Sequence, residues 1–432
     1  MSNVRSFRHG GILLPQRIHF DHGPIENAFL PINAIVVLNS ASTGRTSRIA
    51  VTEGEEVREG QLIARFDGKG TLNAHSPIPG IVRKIIAGKN ADGTAVSTIT
   101  ISLAGSFSVL GKKPERYLWK SLNKTDIMHI VQEKGVARVS SGESLYDILH
   151  DMRGTSAPRF VLNALEMDPY CRAEEAILLE RSADIVDACA ILKKILQTAT
   201  MTVALGESFP EAEVASLLNL AEKAEVHFEI QRFRRRYPQD MPSLIDRTLS
   251  RNSGKAVVSL MLEPSTMAAL HDAVVSNKAH IEQYVYIGGG AVKESRILKA
   301  RIGTPIGDLF EESGGFTGRP EVIVVNDPLR GTMAGNLDVA VEKTTRAILA
   351  LTHDETHSAR ELPCVRCGAC VRACPEGLKP WALNKYAMAG LVGEAADRGL
   401  YRCTSCGACA YACWSRIPLV DRFERMKSQG QS

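Results

Sequence analysis

The sequence predicts a multidomain chain of mixed α/β and β architecture that closes on a small helical module. Three observations predict it. Short apolar segments punctuated by glycine fill roughly the first quarter. Strand-like and helix-like segments alternate through the middle. Eight of the ten cysteines fall in two identically spaced arrays between Cys364 and Cys413. At 432 residues the chain exceeds one ordinary domain and accommodates three or four. The apolar share of 44% and charged share of 23% are globular values, and a net charge of +4 is too small to argue for nucleic acid. The apolar runs fall short of the roughly 18 residues a membrane-spanning helix needs, and the N-terminus has no charged segment followed by an apolar run.

Residues 1–115 read as short strands and turns. The stretch from Val51 to Arg65 and the later His75-Ser-Pro-Ile-Pro-Gly resemble a biotinyl/lipoyl-type barrel-sandwich, with Gly54, Gly60 and Pro77–Gly80 in tight turns. Lys69 falls where a lipoyl domain carries its modified lysine; a plain hairpin lysine fits its Gly68 and Gly70 neighbours better. In residues 116–275, strands at Phe160–Ala164, Met201–Leu205, Val226–Ile230 and Gly254–Leu260 alternate with helices at Ala173–Glu180 and Glu211–Lys223, the pattern of an α/β domain with a parallel sheet. A further apolar helix runs from Asp184 to Leu196. Residues 276–340 change texture, with strands near Tyr284 and Glu321 flanking glycine loops, and resemble a small β-grasp module of the SLBB type. Residues 341–432 form the last domain, expected to be helical from residue 345 apart from the cysteine loops, with helical spacing from Pro380 to Arg398 and an amphipathic helix from Pro418 to Met426.

Both cysteine arrays read Cys-x2-Cys-x2-Cys-x3-Cys, the run that holds 4Fe-4S clusters in two-cluster ferredoxins. Three thiolates spaced in this way wrap one face of a cubane, and the fourth turns away to the other cluster. Cys364, Cys367, Cys370 and Cys413 are therefore assigned to one cluster; Cys403, Cys406, Cys409 and Cys374 take the other. Structural zinc favours paired Cys-x2-Cys or His ligands instead. Cys189 reads as a buried small hydrophobe, and Cys171 more often as a structural than a site residue. Trp414 stands where the first array has Pro375, either packed over a cluster or in the core.

The order barrel-sandwich, α/β domain, β-grasp module and twin-cluster module resembles the RnfC (also RsxC) family, a component of the Rnf ion-translocating oxidoreductases. Phe7-Arg-His-Gly-Gly-Ile looks like that family's opening, Asn163-Ala-Leu-Glu-Met-Asp-Pro-Tyr like its Asn-Gly-Ala-Glu-Cys-Glu-Pro-Tyr, and Tyr237-Pro-Gln like the start of its Tyr-Pro-Gln-Gly-Gly loop. The resemblance implies a peripheral electron-transfer subunit on the cytoplasmic face of the cell's inner membrane. It implies two 4Fe-4S clusters, FMN, NAD(H), membrane subunits of the complex and a ferredoxin-like carrier as partners. Asn163 and Glu166 would then face the flavin. A soluble iron–sulfur protein feeding another reductase and a mainly structural docking subunit are the other readings.

The sequence departs from the family where the flavin should sit. The phosphate loop Gly-Gly-Ala-Gly-Phe-Pro-Thr is replaced by Lys134-Gly-Val-Ala-Arg-Val-Ser-Ser-Gly-Glu-Ser, which keeps only Gly135 and Gly142 and adds Glu143. The second loop carries Asp240 and Met241 where close approach needs glycine. The expectation is that FMN binds weakly or not at all and that NADH is not the direct donor. The basic run Arg232-Phe-Arg-Arg-Arg reads as a solvated strand end, or as a docking patch for an acidic partner.

Overall fold

The computed structural model describes residues 4–17, 24–39, 48–65, 72–89, 95–105, 116–152, 159–197, 201–252, 259–356 and 360–430; Lys69 lies outside them. The N-terminal part is two facing antiparallel sheets. One has strands Asn33–Asn39, Ala95–Leu103, Gly80–Lys89 and Glu56–Val57 in that order, the other Arg48–Ile49, Leu62–Arg65 and Ala74–His75. Their inward residues, among them Val36, Val57, Ile63, Ile78 and Ile101, form a separate core. Gly54 and Gly60 sit at φ +88° and +76°, as their turns require.

The second part holds a four-stranded parallel sheet in the order Phe228–Phe233, Met201–Gly206, Arg159–Asn163, Ser259–Leu262. Helices Ala173–Glu180, Ser182–Leu196, Glu211–Lys223 and Pro264–Ser276 cover it. The first three strands step in one direction and the fourth returns to the far side of Arg159–Asn163. The reversal of strand order, where such sheets bind ligands, therefore lies beyond Asn163 and Leu262. Cys189 is wholly buried in this core.

A six-stranded mixed sheet follows: Glu26–Asn27, Arg296–Arg301, Glu282–Gly288, Ala347–Leu351, Val322–Val325, Thr332–Met333, with helix Ile306–Glu312 packed beside it. Ala347–Leu351 corrects the expectation of helix from residue 345. Its five residues are all buried and pair with strands on both sides. A five-residue apolar run has no periodicity to separate a central strand from a buried helix.

The last module packs helices Pro380–Met388, Val392–Asp397 and Leu419–Gln429 around Leu378, Leu383, Leu400, Ile417 and Phe423. The continuous helix expected from Pro380 to Arg398 breaks at Gly390, whose φ of +69° ends the first helix. Among the described residues no helix is long and apolar enough to cross a membrane.

Candidate functional site: two cysteine cradles and a filled crevice

The two cysteine arrays fold as copies of one another. Arg366 and Ser405, each one residue before the second cysteine, have φ of +53° and +55°; Gly368 and Gly407, one after it, have +74° and +79°. Gly377 and Arg416, three residues after the last cysteine of each array, have +65° and +52°. Each array then starts a short helix, Ala369–Ala373 or Ala408–Tyr411. Left-handed residues of this kind turn successive backbone N–H groups inward, which forms an anion-binding concavity. In the second array the carbonyl of Leu329 would lie 2.7 Å from a Cβ at Gly407, so glycine is needed there for packing as well as for φ.

Cys364, Cys367, Cys370 and Cys413 line one cavity of about 200 Å³, roofed by Trp381, Ile417 and Leu419. Burial pushes the Cys370 thiol up, with Cys413 and Cys364 as its thiol neighbours. Burial likewise raises Cys374, Cys406 and Cys409. There the thiol neighbours are Cys403 for Cys374, Cys403 and Cys374 for Cys406, and Cys403, Cys406 and Cys374, then Cys370 of the other set, for Cys409. The fourth cysteine of each array thus lies with the first three of the other. Among the described residues no group of three His, Cys, Asp or Glu side chains is placed to hold a single metal ion. Cys364 and Cys367 are exposed, whereas Cys374, Cys406 and Cys409 are buried.

The N-terminal strap holds the buried cradle against the parallel-sheet domain. Gly11 N–H donates to Ala373 O at 2.8 Å, and Ile12 and Tyr237 exchange backbone bonds at 3.0 and 2.9 Å. A Cβ at Gly10 would lie 2.2 Å from the carbonyl oxygen of Cys374. Tyr237 is buried, and its hydroxyl donates to Cys406 O at 2.5 Å. Phe7–Ile12 and Tyr237 stand out in the sequence as motifs without showing this role; two adjacent glycines outside a turn are the available signal. Trp414 is 79% exposed, which corrects the expectation of a core side chain. The basic run is not the solvated strand end expected: Arg232 is buried and donates to Phe209 O at 2.7 Å, and Arg236 lies over the Phe7 ring.

The crevice at the reversal of strand order is occupied by this chain's own side chains. Asn163 donates to Asp240 O and accepts from Leu165 N–H, both at 3.2 Å. Glu166 accepts from Glu174 N–H at 2.8 Å and faces the Cys171 sulfur at 3.4 Å. Glu174 accepts from Ser265 N–H and Oγ at 2.8 and 2.6 Å. Arg330 reaches in from the β-grasp side to bridge Asp240 at 2.8 Å and Asp327 at 2.6 Å, 5.2 Å from the centre of the Tyr237 ring. Arg346 lies among Glu174, Glu166 and Glu263. Desolvation, then carboxylate neighbours, push Glu166 up to about 8 and Asp168 and Glu174 up to about 7.

A flavin mononucleotide does not fit these residues. Gly135 is turned against the barrel-sandwich, where an added Cβ would meet Asn73 O at 2.2 Å, and its carbonyl takes the Lys343 ammonium at 2.7 Å. Gly142 packs on Thr344. Neither remaining glycine offers open backbone to a phosphate. Asp240 Oδ1 is buried without a hydrogen-bond partner, and its other oxygen is already held by Arg330 at 2.8 Å.

Four family models match the chain in sequence. They are the RnfC barrel sandwich hybrid domain over residues 6–106, the Nuo51 FMN-binding domain over 147–280, the SLBB domain over 284–337 and a 4Fe-4S dicluster domain over 358–417. The Nuo51 match begins after the glycine-poor stretch 134–144. A subunit of the proton-translocating ferredoxin:NAD(+) oxidoreductase complex of Clostridium ljungdahlii is 28% identical over 91% of this chain and 87% of its own length. Along nearly its whole length the chain resembles the RnfC subunits of ion-translocating oxidoreductases. One from Rhodobacter capsulatus, a subunit of its ion-translocating oxidoreductase complex, is also 28% identical, over 99% of this chain and 84% of its own. An NAD+-reducing [NiFe]-hydrogenase in its H2-reduced state superposes with a TM-score of 0.51 at 12% identity, over 75% of this chain and 66% of that one, a likeness of fold alone.

Proposed function

We propose that this chain is the peripheral electron-transfer subunit of a membrane-bound, ion-translocating oxidoreductase of the Rnf type, and that it relays single electrons through two 4Fe-4S clusters. Cys364, Cys367, Cys370 and Cys413 would hold one and Cys403, Cys406, Cys409 and Cys374 the other. The observation that carries this reading is the convergence of each three-cysteine run with the last cysteine of the other array. When bound, such clusters supply one-electron acceptors and donors. The left-handed residues flanking the second cysteine of each array direct backbone N–H groups at the cluster sulfurs, and Tyr237 anchors the Cys406 carbonyl. The exposed cradle of Cys364 and Cys367 faces solvent, and the inner cradle is sheltered from it.

With the crevice filled, the parallel-sheet domain acts as a scaffold, and electrons enter and leave at the clusters rather than from NADH. The chain has no helix for an ion path among its described residues, so membrane subunits of the complex would supply it. The cytoplasmic face, where a ferredoxin-like carrier is available, is the proposed location. Two measurements test this. Expressed with its neighbouring subunits and gently lysed, the protein is expected to co-purify with membrane proteins; recovery only as a free soluble chain sinks the complex. In EPR of the reduced protein, Cys413→Ser is expected to disturb the cluster that Cys367→Ser disturbs, and Cys374→Ser the one that Cys406→Ser disturbs, because an alkoxide poorly replaces a thiolate. The uncrossed result would overturn the ligand assignment.

A further inference from the structure

Beside the inner cradle lies a second cavity, of about 480 Å³, whose walls carry Lys379, Lys385, Arg398 and Arg402 with Trp381 and Tyr386. No carboxylate lines it. All four cations are exposed. Arg398 lies over the Tyr386 ring at 4.9 Å, and Arg402 donates to the Glu376 carbonyl at 3.1 Å. Among the described residues none of the four pairs with a carboxylate. Elsewhere Arg247, Arg330 and Arg422 each hold one within 3 Å. Residues 360–430 carry eleven Lys and Arg against six Asp and Glu, an excess of five in a chain whose total is +4. Trp381 in its wall is 42% exposed, and the same module also exposes Met388 at 67%, Tyr401 at 49% and Leu391 at 42%. The wall touches both cradles: Leu378 N–H faces the Cys374 sulfur and Trp381 N–H the Cys370 sulfur.

We propose that this pocket is the docking site for the carboxylate-rich face of an acidic one-electron carrier protein. The proposal rests on the electron-relay reading and adds a port by which the two cradles are reached. An uncompensated cluster of cations steers an anionic partner by long-range attraction. Trp381, Tyr386, Arg398 and Arg402 in its walls supply the aromatic and arginine contacts typical of a protein interface. A small anion would use the cations but not the exposed Trp381 beside them. In the transfer the carrier loses one electron and this protein gains one; no bond is made or broken and no proton moves.

The test is stopped-flow reduction of the anaerobic, cluster-loaded protein by a reduced, net-negative two-cluster ferredoxin across an ionic-strength series. Lys379→Glu combined with Lys385→Glu is expected to slow reduction by about tenfold or more and to flatten its salt dependence. Iron content and EPR signals should be unchanged, as should reduction by photoreduced deazaflavin. Lys84→Glu, on the barrel-sandwich, should behave like the unaltered protein. Docking at this pocket is overturned if the double variant keeps the original rate and salt slope, or if Lys84→Glu slows reduction equally. It is also overturned if inorganic phosphate at matched ionic strength abolishes reduction, which would mark a small-anion site. If the unaltered protein is not reduced by the ferredoxin at all, this partner class is excluded; iron content and EPR then show separately whether the relay reading survives.

Discussion

At the scale of single residues, the clearest departure from ordinary electrostatics is the group of carboxylates at the reversal of strand order. Glu166, Asp168, Glu174, Asp240, Glu263 and Asp327 crowd around Arg138, Arg330 and Arg346, and burial first, then the neighbouring Glu263, holds Glu174 near 7. A carboxyl whose folded pKa is raised binds more protons folded than unfolded between about pH 4.5 and 7. Its stabilisation is full below the unfolded value and is lost as pH rises through the folded one. Glu174→Gln keeps one acceptor for Ser265 and removes the titration. The stability of this variant relative to the unaltered protein should therefore rise with pH between about 5 and 8, by at most about 1.4 kcal/mol per pH unit. Chemical denaturation of both proteins at several pH values measures the difference; a pH-independent difference would show that Glu174 is ionised in the folded state. Little of this network is legible in the sequence. Asn163 and Glu166 stand out as motif residues, but Arg330 and Arg346 reach them from a sheet more than 150 positions away.

At the scale of elements, the strap and the cysteine loops show how local sequence and long-range seating differ in legibility. The loops follow from spacing alone, because a cubane dictates where three thiolates must lie along a short turn. The seating of Phe7–Ile12 on the inner cradle depends on a partner segment with no sequence relation to it. Gly10 meets both a φ of +75° and a 2.2 Å approach to the Cys374 carbonyl, so its place is conformational and steric together. Gly10→Ala should lift the strap, raise hydrogen exchange over residues 4–14, and lower iron toward half its full content as the inner cradle opens. Full iron with unaltered exchange would show that the strap is not needed there. The strand Ala347–Leu351 escapes a sequence reading for a related reason: what makes it a strand is the sheet on either side.

At the scale of the whole molecule, four modules in fixed order form one scaffold for a buried cradle and an exposed one. The barrel-sandwich closes over Gly135 through Asn73, the β-grasp sheet sends Arg330 and Arg346 into the old ligand crevice, and the strap ties the parallel-sheet domain to the cluster module. Domain order is legible because each part has its own period and turn chemistry. The basic pocket is not, since Lys379, Lys385, Arg398 and Arg402 are scattered in sequence, while the conspicuous run at Arg232 is largely spent on internal contacts. The central claim is that this scaffold carries electrons through two clusters and has given up its flavin. It is tested most directly by iron, sulfide and flavin analysis of anaerobically purified protein, followed by addition of NADH. The account predicts about eight irons and eight sulfides per chain, no stoichiometric FMN and no rapid bleaching; FMN at one per chain, bleached quickly by NADH, would contradict it.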